Sequence, residues 1–250
     1  MIYTDVLVIG SGISGLSYAL KIAQQRPDTR ITIITKSDDE ESSTKYAQGG
    51  VAVVTNFEKD SFDKHIEDTL RAGDGLCKRE VVEIVVKEGP ERIREMVEWG
   101  ANFDKDEFQS YDLGREGGHT ENRVVHHKDI TGAEIERALL QAVERLENVT
   151  LLNHHYVIDL LTEHQVPQSE FDKYNLHCYG AYVLDMKASR IIKMTAKITL
   201  MATGGCGHVY KNTTNPTIAT GDGIGLAHRA KARISNMKFI QFHPSAFYSN

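Results

Sequence analysis

The sequence lacks the features that mark secreted, membrane-spanning and nucleic-acid-binding chains. Its 250 residues include three cysteines, Cys77, Cys178 and Cys206, and no two of them form a CxxC pair. This odd number of widely spaced cysteines does not predict a disulfide framework, so we expect a reducing compartment and a cytoplasmic location. No stretch has the roughly 20 consecutive apolar residues of a membrane helix. No basic block or basic helix face predicts a nucleic-acid surface.

What is present fits a globular protein with a sizeable core. Hydrophobic residues make up 40% of the chain and the net charge is −6, with both signs interspersed. The length fits one large domain, or one domain and part of another. The apolar start has no basic region before it and is interrupted by glycine and serine, so we expect no signal peptide.

The first 36 residues have the order strand, glycine turn, helix, strand. Residues 5–10 read DVLVIG, a short apolar run of the kind found in buried parallel strands. The turn that follows is Gly10-x-Gly12-x-x-Gly15. In a dinucleotide site the first glycine allows the tight turn, the second lets the backbone approach a pyrophosphate, and the third lets helix and strand pack closely. Because this motif follows a strand and opens a helix, it predicts a dinucleotide site and not a glycine turn without a ligand.

The end of the second strand departs from the pattern of NAD-binding proteins. An Asp or Glu that holds the ribose hydroxyls is expected there, but the sequence has Thr35 and Lys36. A simple NAD site is therefore disfavoured. The lysine could instead approach a phosphate or pair with a cofactor oxygen.

Further motifs follow in a fixed order. They are STKYAQGG (43–50), REGGH (115–119), ATGG (202–205), TTNPTIATGDG (213–223) and QFHP (241–244). Together with the first glycine turn, this order resembles the flavoprotein superfamily of fumarate reductase and succinate dehydrogenase, and within it the L-aspartate oxidase family. The resemblance covers essentially the whole chain.

The resemblance implies an α/β fold, with a Rossmann-like FAD-binding domain that has a parallel sheet and additional antiparallel strands. By this resemblance residues 1–235 are an incomplete FAD-binding domain and residues 236–250 begin a capping domain. Members of the family are roughly twice as long as this chain, so we expect a truncated form in which the capping domain is incomplete. Such a chain would be a poor oxidase alone.

The cofactor implied by the resemblance is FAD. The residues that would bind it are Gly10, Ser11, Gly12, Ile13, Ser14, Gly15, Lys36, Ser43, Thr44, Lys45, Tyr46, Ala47, Gln48, Gly49, Gly50 and Asp222. Respiratory relatives link the flavin covalently to a histidine near the start of the Ser-Thr segment. Ser43 stands at that position, so the resemblance implies non-covalent FAD.

The segment from Arg115 to His127, REGGHTENRVVHH, has three possible interpretations. It could be a solvated loop, a metal site, or one wall of a pocket for an anionic substrate. The metal interpretation is disfavoured, because His126 and His127 are adjacent and would point to opposite faces of an extended chain, and no cysteine is near. Arg115, His119, Arg123 and His127 are expected to be solvated or supporting residues.

The resemblance favours the pocket interpretation and implies a substrate. Glu116 would orient the amino group of L-aspartate, since a carboxylate pairs with an ammonium that succinate and fumarate lack. His243 would hydrogen-bond a substrate carboxylate, and a catalytic arginine is expected beyond residue 250. Oxygen or fumarate would accept the electrons, and quinolinate synthase is a possible partner. The rival interpretations are a soluble fumarate reductase or succinate dehydrogenase flavoprotein and a non-catalytic FAD-binding fragment.

Helical periodicity predicts amphipathic helices over residues 60–73, 79–100 and 129–146. Pro90 is expected to divide the second of these into two helices, because proline lacks the backbone N–H that a helix interior requires.

Overall fold

The computed structural model describes residues 1–163 and 176–242. The strands are β1 (Ile2–Ile9), β2 (Ile31–Ile34), β3 (Val51–Ala52), β4 (Leu113–Gly114), β5 (Val124–Val125), β6 (Val149–Leu152), β7 (His155–Thr162), β8 (Cys178–Asp185) and β9 (Arg190–Met201). The helices are α1 (Ile13–Gln25), α2 (Phe62–Ala72), α3 (Arg79–Glu98), α4 (Thr131–Glu144) and α5 (Asp222–Arg229). They form two compact units. The sheet unit comprises Met1–Ser43 and Val143–Asn250, and the helical unit comprises Thr44–Ala142.

The sheet unit contains a six-stranded sheet in the order β6-β2-β1-β9-β8-β7. The first four strands pair in parallel, whereas β8 pairs antiparallel with both β9 and β7. All four residues of β2 and the last four of β1 are buried, as expected for parallel strands covered on both faces. The predicted α/β class, with a mostly parallel sheet and additional antiparallel strands, is confirmed.

One hydrophobic core lies on this sheet. It combines the ends of β1 and β2 with the middle of the antiparallel strands and with α5. Its buried members include Leu7, Ile9, Ile34, Val157, Val183, Met194 and Leu226. The carboxyl ends of β1 and β2 are therefore held rigidly, and in open α/β sheets ligands bind at these ends.

The helical unit packs three helices with a small sheet in the order β3-β5-β4, which is antiparallel throughout. Helices α2 and α3 pack together through Ile66, Val82 and Val86, which are all buried. Ser61 caps α2, since its hydroxyl oxygen accepts a hydrogen bond from Lys64 N at 3.2 Å.

The prediction that Pro90 divides the second helix is wrong, because α3 runs unbroken through it from Arg79 to Glu98. A proline normally excludes the residue before it from helical geometry by contact with that residue's Cβ. The residue before Pro90 is Gly89, which has no Cβ. The apolar face also continues across the proline, from Val86 to Ile93, so burial holds both halves on one axis.

Within the two described ranges, no helix combines the length and the apolar character needed to cross a membrane.

Candidate functional site

The first glycine turn lies at the carboxyl end of β1, beside the end of β9. Gly10 has φ of +113°, and a Cβ there would lie 2.2 Å from the carbonyl oxygen of Ala202. A Cβ on Gly15 would lie 2.0 Å from the carbonyl oxygen of Gly10. Both contacts are with backbone atoms that cannot rotate away. Only glycine therefore lets α1 start this close to the strand, which is the geometry of a dinucleotide turn.

The start of α1 has no side-chain cap. Its N-cap residue is Gly12, which offers no side chain to the first N–H groups, and the first turn contains no acidic residue. Helix α2, by contrast, has the capping Ser61 and an acidic Asp63 in its first turn. An uncapped helix start with its positive dipole end fits the pyrophosphate of a dinucleotide.

The side chain of Ser11 holds the glycine turn in place. Its side chain is buried, and its hydroxyl donates to the carbonyl oxygen of Asp39 at 2.8 Å. The hydroxyl thus ties the glycine turn to the loop after β2. The predicted pyrophosphate contact would have to come from the backbone of Ser11.

Two residues predicted to bind the cofactor, Lys36 and Asp222, contact each other in the sheet unit. The Lys36 ammonium forms an ion pair with the Asp222 carboxylate and donates to the Thr220 hydroxyl at 2.6 Å. Thr220 in turn donates to Asp222 at 2.9 Å. Asp222 is the first residue of α5, and Gly221 N before it donates to Gly205 O in the ATGG segment. Segments far apart in the chain therefore meet at one polar cluster.

Tyr156 on β7 is a member of this cluster that the sequence analysis missed. Its phenol interacts with the Asp222 carboxylate. Burial and the nearby negative charge of Asp222 raise the pKa of Tyr156. Burial acts to raise the pKa of Asp222 as well, but the hydrogen bonds from Lys36 and Thr220 outweigh it and the pKa is lowered. The carboxylate is thus held ionised beside a neutral phenol.

The predicted flavin-side segment, Ser43–Gly50, crosses from the sheet unit into the helical unit. From Thr44 onward it forms a turn in which Ala47 N donates to Thr44 O at 3.1 Å. Gly132 N, in the first turn of α4, donates to Ala47 O at 2.9 Å. Tyr46 is half exposed, and Ala47, Gln48 and Gly49 are exposed. The segment therefore presents backbone and polar side chains to solvent on a fixed turn.

Glu116, the predicted specificity residue, lies against this segment. Gly50 N donates to Glu116 Oε1 at 3.2 Å, and a Cβ on Gly49 would lie 3.0 Å from the same oxygen. Glu116 is exposed, so one carboxylate oxygen is held by the backbone while the group remains accessible. Glu116, which is predicted to bind the substrate amino group, thus lies next to the segment that is predicted to contact the flavin.

Arg123 is fully buried and holds two carboxylates. Its Nε and Nη2 donate to the two oxygens of Asp60, each at 2.8 Å, and its Nη1 donates to Asp68 at 2.6 Å. Nη1 also lies 3.0 Å from His119 Nδ1. Burial acts against the charged form of Asp68, but hydrogen bonds from Arg123 and Thr120 bring its pKa down to about 2. The sequence predicted that Arg123 is either a solvated or a supporting residue. Because its side chain is fully buried, it is a supporting residue.

His126 and His127 do not point apart as predicted. Their Nδ1 atoms lie 3.3 Å and 3.5 Å from the two carboxylate oxygens of Asp104. The reason is that β5 ends at Val125 and the chain bends at His127, so the alternation of an extended strand does not apply. No group of three or more potential metal ligands is found in residues 1–163 and 176–242. His243 lies outside the described residues.

The glycine turn, the uncapped helix start and the mostly parallel sheet define a dinucleotide-binding α/β protein. The family described as the FAD binding domain matches residues 5–250. The chain belongs to that family, and FAD is its cofactor.

Comparison with curated proteins adds more specific relatives. The chain is 50% identical over 244 residues to chloroplastic L-aspartate oxidase from Oryza sativa, covering 98% of this chain and 36% of the relative. It is 41% identical to L-aspartate oxidase 1 from Ralstonia nicotianae, covering 98% and 44%. A variant of E. coli quinol fumarate reductase FrdA superposes with a TM-score of 0.83 at 31% identity, covering 90% of this chain and 37% of that one. The chain thus spans less than half the length of these relatives.

Replacing Gly15 by alanine should weaken FAD binding. The added Cβ would overlap the Gly10 carbonyl, and overpacking of a rigid site costs about 1–3 kcal/mol, or about ten- to a hundredfold in affinity. The dissociation constant for FAD, measured by quenching of flavin fluorescence, checks this. Gly225→Ala is the matched control, since its Cβ would meet only the tip of the Arg229 side chain at 3.4 Å. Equal FAD affinity of the two variants would contradict the packing argument.

Asp222→Asn should lower the pKa of Tyr156 and leave it above the usual tyrosine value. The substitution removes the negative charge, whereas the burial that also raises this pKa remains. NMR titration of ¹³Cζ-labelled tyrosine measures the change. Asp5→Asn is the control, because Asp5 lies in the middle of β1 and pairs with Lys197 and Arg30, neither of which belongs to the Asp222 cluster. An unchanged Tyr156 titration in Asp222→Asn would rule out the contact.

The helical unit should lose stability as the pH falls from about 4 towards 2. Asp68 has a folded pKa of about 2, below the value of about 3.9 for an unfolded aspartate. Its contribution is therefore complete above pH 4 and is lost as the carboxylate is protonated in the folded state. Urea unfolding can be followed by Trp99, the single tryptophan, which is buried in this unit. Asp68→Asn should flatten the pH dependence, and Asp63→Asn, exposed on the same helix, should not.

Proposed function

We propose that the chain is the FAD-binding part of an L-aspartate oxidase, which oxidises L-aspartate to iminoaspartate in de novo NAD biosynthesis. The names of the relatives, at 39% to 50% identity over 98% of the chain, support this proposal. Oxygen or fumarate is the electron acceptor, and quinolinate synthase is a possible partner that takes the product. The protein is cytoplasmic in this proposal.

The observation that carries the proposal is the carboxylate of Glu116 against Gly49 and Gly50. L-Aspartate differs from succinate by an ammonium group, which a carboxylate can bind by a charge-assisted hydrogen bond. A site for dicarboxylates alone would gain nothing from a negative charge at this point, because that charge would repel the substrate. Since Gly50 N holds Oε1 at 3.2 Å, Oε2 is the oxygen available to the ammonium.

The chain's own residues would orient both ligands. The open start of α1 and the backbone of Gly10–Gly15 would hold the pyrophosphate, and the cluster around Lys36 and Asp222 would bind the cofactor through polar atoms. Bound FAD supplies a two-electron acceptor for the hydride that leaves the substrate α-carbon. Glu116 would bind the amino group of the substrate, and His243 would hydrogen-bond a substrate carboxylate. Ser43 offers no ring nitrogen for a covalent link, so the cofactor is non-covalent.

In the domain organisation that we propose, residues 1–235 are the FAD-binding domain and residues 236–250 begin a capping domain. Further carboxylate-binding groups, including a catalytic arginine, would belong to that capping domain. Residues of that capping domain would then orient the substrate together with Glu116 and His243.

A second candidate is a soluble fumarate reductase or succinate dehydrogenase flavoprotein. The superposition on E. coli quinol fumarate reductase favours it. Glu116 and Ser43 favour the oxidase instead, the first by its charge and the second by the absence of a histidine for covalent flavin. Reduction of fumarate without any oxidation of aspartate would establish this second candidate.

Anaerobic mixing with L-aspartate is the direct test. The flavin absorbance of the FAD-loaded chain, co-expressed with the remaining part of a full-length relative, should bleach with L-aspartate and not with succinate. The chain alone should bleach little with either compound. Bound flavin that L-aspartate bleaches in neither preparation would count against the oxidase.

Glu116→Gln should raise KM for L-aspartate by about ten- to a hundredfold, since a hydrogen bond to a charged group contributes about 1.5–3 kcal/mol. The dissociation constant for succinate should not rise, because succinate has no ammonium. Glu121→Gln is the matched control in the same loop, where the carboxylate pairs with Lys64 at 2.6 Å. If the two variants have the same KM for L-aspartate, Glu116 does not bind the amino group.

A further inference from the structure

The loop that carries Glu116 is closed at its base by Arg123. Arg123 N donates to the carbonyl oxygen of Gly114 at 3.1 Å, so residues 114–123 form a loop with a backbone hydrogen bond across its ends. Glu116 is two residues from one end of this loop. Its position in space therefore depends on how the base of the loop is held.

The same loop is anchored to α2 by Asp68. One oxygen of Asp68 accepts from Thr120 N at 2.9 Å and from the Thr120 hydroxyl at 2.8 Å. That oxygen also accepts from Arg123 Nη1 at 2.6 Å. Asp60 holds the other side of the guanidinium with two hydrogen bonds. All three charged side chains are at least nine-tenths buried, so the loop is fixed to the core of the helical unit.

The backbone of Arg123 also fixes the strand that follows Gly49 and Gly50. Its carbonyl oxygen accepts from Val53 N at 2.8 Å, directly after β3. The next two residues, Val124 and Val125, pair with Ala52 and Val51. One residue thus holds the Glu116 loop by its N–H, the strand after Gly50 by its C=O, and α2 by its guanidinium.

We propose that Arg123 is a positioning residue for Glu116. Its buried ion pairs with Asp60 and Asp68 set the place of the Glu116 carboxylate relative to Gly50, and through it the selection of an amino-acid substrate over a plain dicarboxylate. The effect on substrate selection rests on the proposed function of Glu116. The placement of the carboxylate depends only on the geometry of the helical unit and holds without that function.

Arg123→Lys is the principal variant. Lysine keeps the charge and loses the planar fork, so it cannot hold Asp60 with two hydrogen bonds and Asp68 with a third. Thr120→Val is a milder second variant, because it keeps the side-chain shape and removes one of the donors to Asp68. Val86→Ala is the matched control, since Val86 packs between α2 and α3 and its loss weakens the helical unit elsewhere.

The first measurement is the ¹H–¹⁵N signal of the Gly50 amide in the chain. Glu116→Gln defines the shift that appears when this amide loses its carboxylate acceptor. Arg123→Lys should reproduce most of that shift, Thr120→Val a part of it, and Val86→Ala none. A wild-type Gly50 signal in folded Arg123→Lys would overturn the proposal. If Arg123→Lys does not fold, an unchanged signal in Thr120→Val would overturn it equally.

The second measurement separates this proposal from the proposed function. In the FAD-loaded protein co-expressed with the remaining part of a full-length relative, Arg123→Lys should raise KM for L-aspartate at least tenfold and change succinate affinity less than twofold. The ratio of KM for L-aspartate to the dissociation constant for succinate measures this selection. Adding Arg123→Lys to Glu116→Gln should not change that ratio further, because both substitutions act through the Glu116 carboxylate. If Glu116→Gln leaves the ratio unchanged, the proposed function fails. If Glu116→Gln changes it and Arg123→Lys does not, the positioning proposal fails.

Discussion

Direct contact of backbone with backbone at the carboxyl end of β1 constrains the whole sheet unit. The first turn of α1 lies on the carbonyl of Gly10, and Gly10 lies on the carbonyl of Ala202 at the end of β9. No side chain fits at either point, so the strands and helix meet without an intervening layer. The helix start, the end of β9 and the polar cluster at Asp222 are thereby held at one edge. A cofactor site at this edge needs no rearrangement of the core.

The carboxylates of Asp222 and Glu116 differ in burial and in the number of their hydrogen-bond donors. Asp222 is partly buried and has a lysine, a threonine and a tyrosine as partners, so its charge is balanced within the protein. Glu116 is exposed and has a single backbone donor in the helical unit. A compensated carboxylate stabilises a site, whereas an uncompensated one attracts a cation. The environment of each group thus supports the proposal that Asp222 binds the cofactor and that Glu116 selects the substrate.

Much of the fold could be predicted from sequence because it depends on local patterns. The buried strands are short apolar runs, and the glycine turn has fixed spacing. The ion pair of Lys36 with Asp222 could not be predicted from spacing, since the two residues are separated by 186 positions and meet only when β9 has crossed the sheet. Arg123 gave no signal either, because arginine is rarely fully buried and its partners lie 55 and 63 positions away. The two histidines after β5 were misjudged because the strand ends at Val125, two residues before the His127 that the alternation would have to include.

The chain path through the two units has a consequence for biosynthesis. The helical unit is one continuous stretch, Thr44–Ala142, so every contact within it is available once that stretch has left the ribosome. The sheet unit is split, and β1 has its neighbour β9 only after residue 201 has been made. Domains emerge and fold in order during synthesis, and pairing of distant strands is slow. During synthesis every residue of the helical unit is therefore present while β1 has β2 on one side and an open edge on the other, until β9 is made.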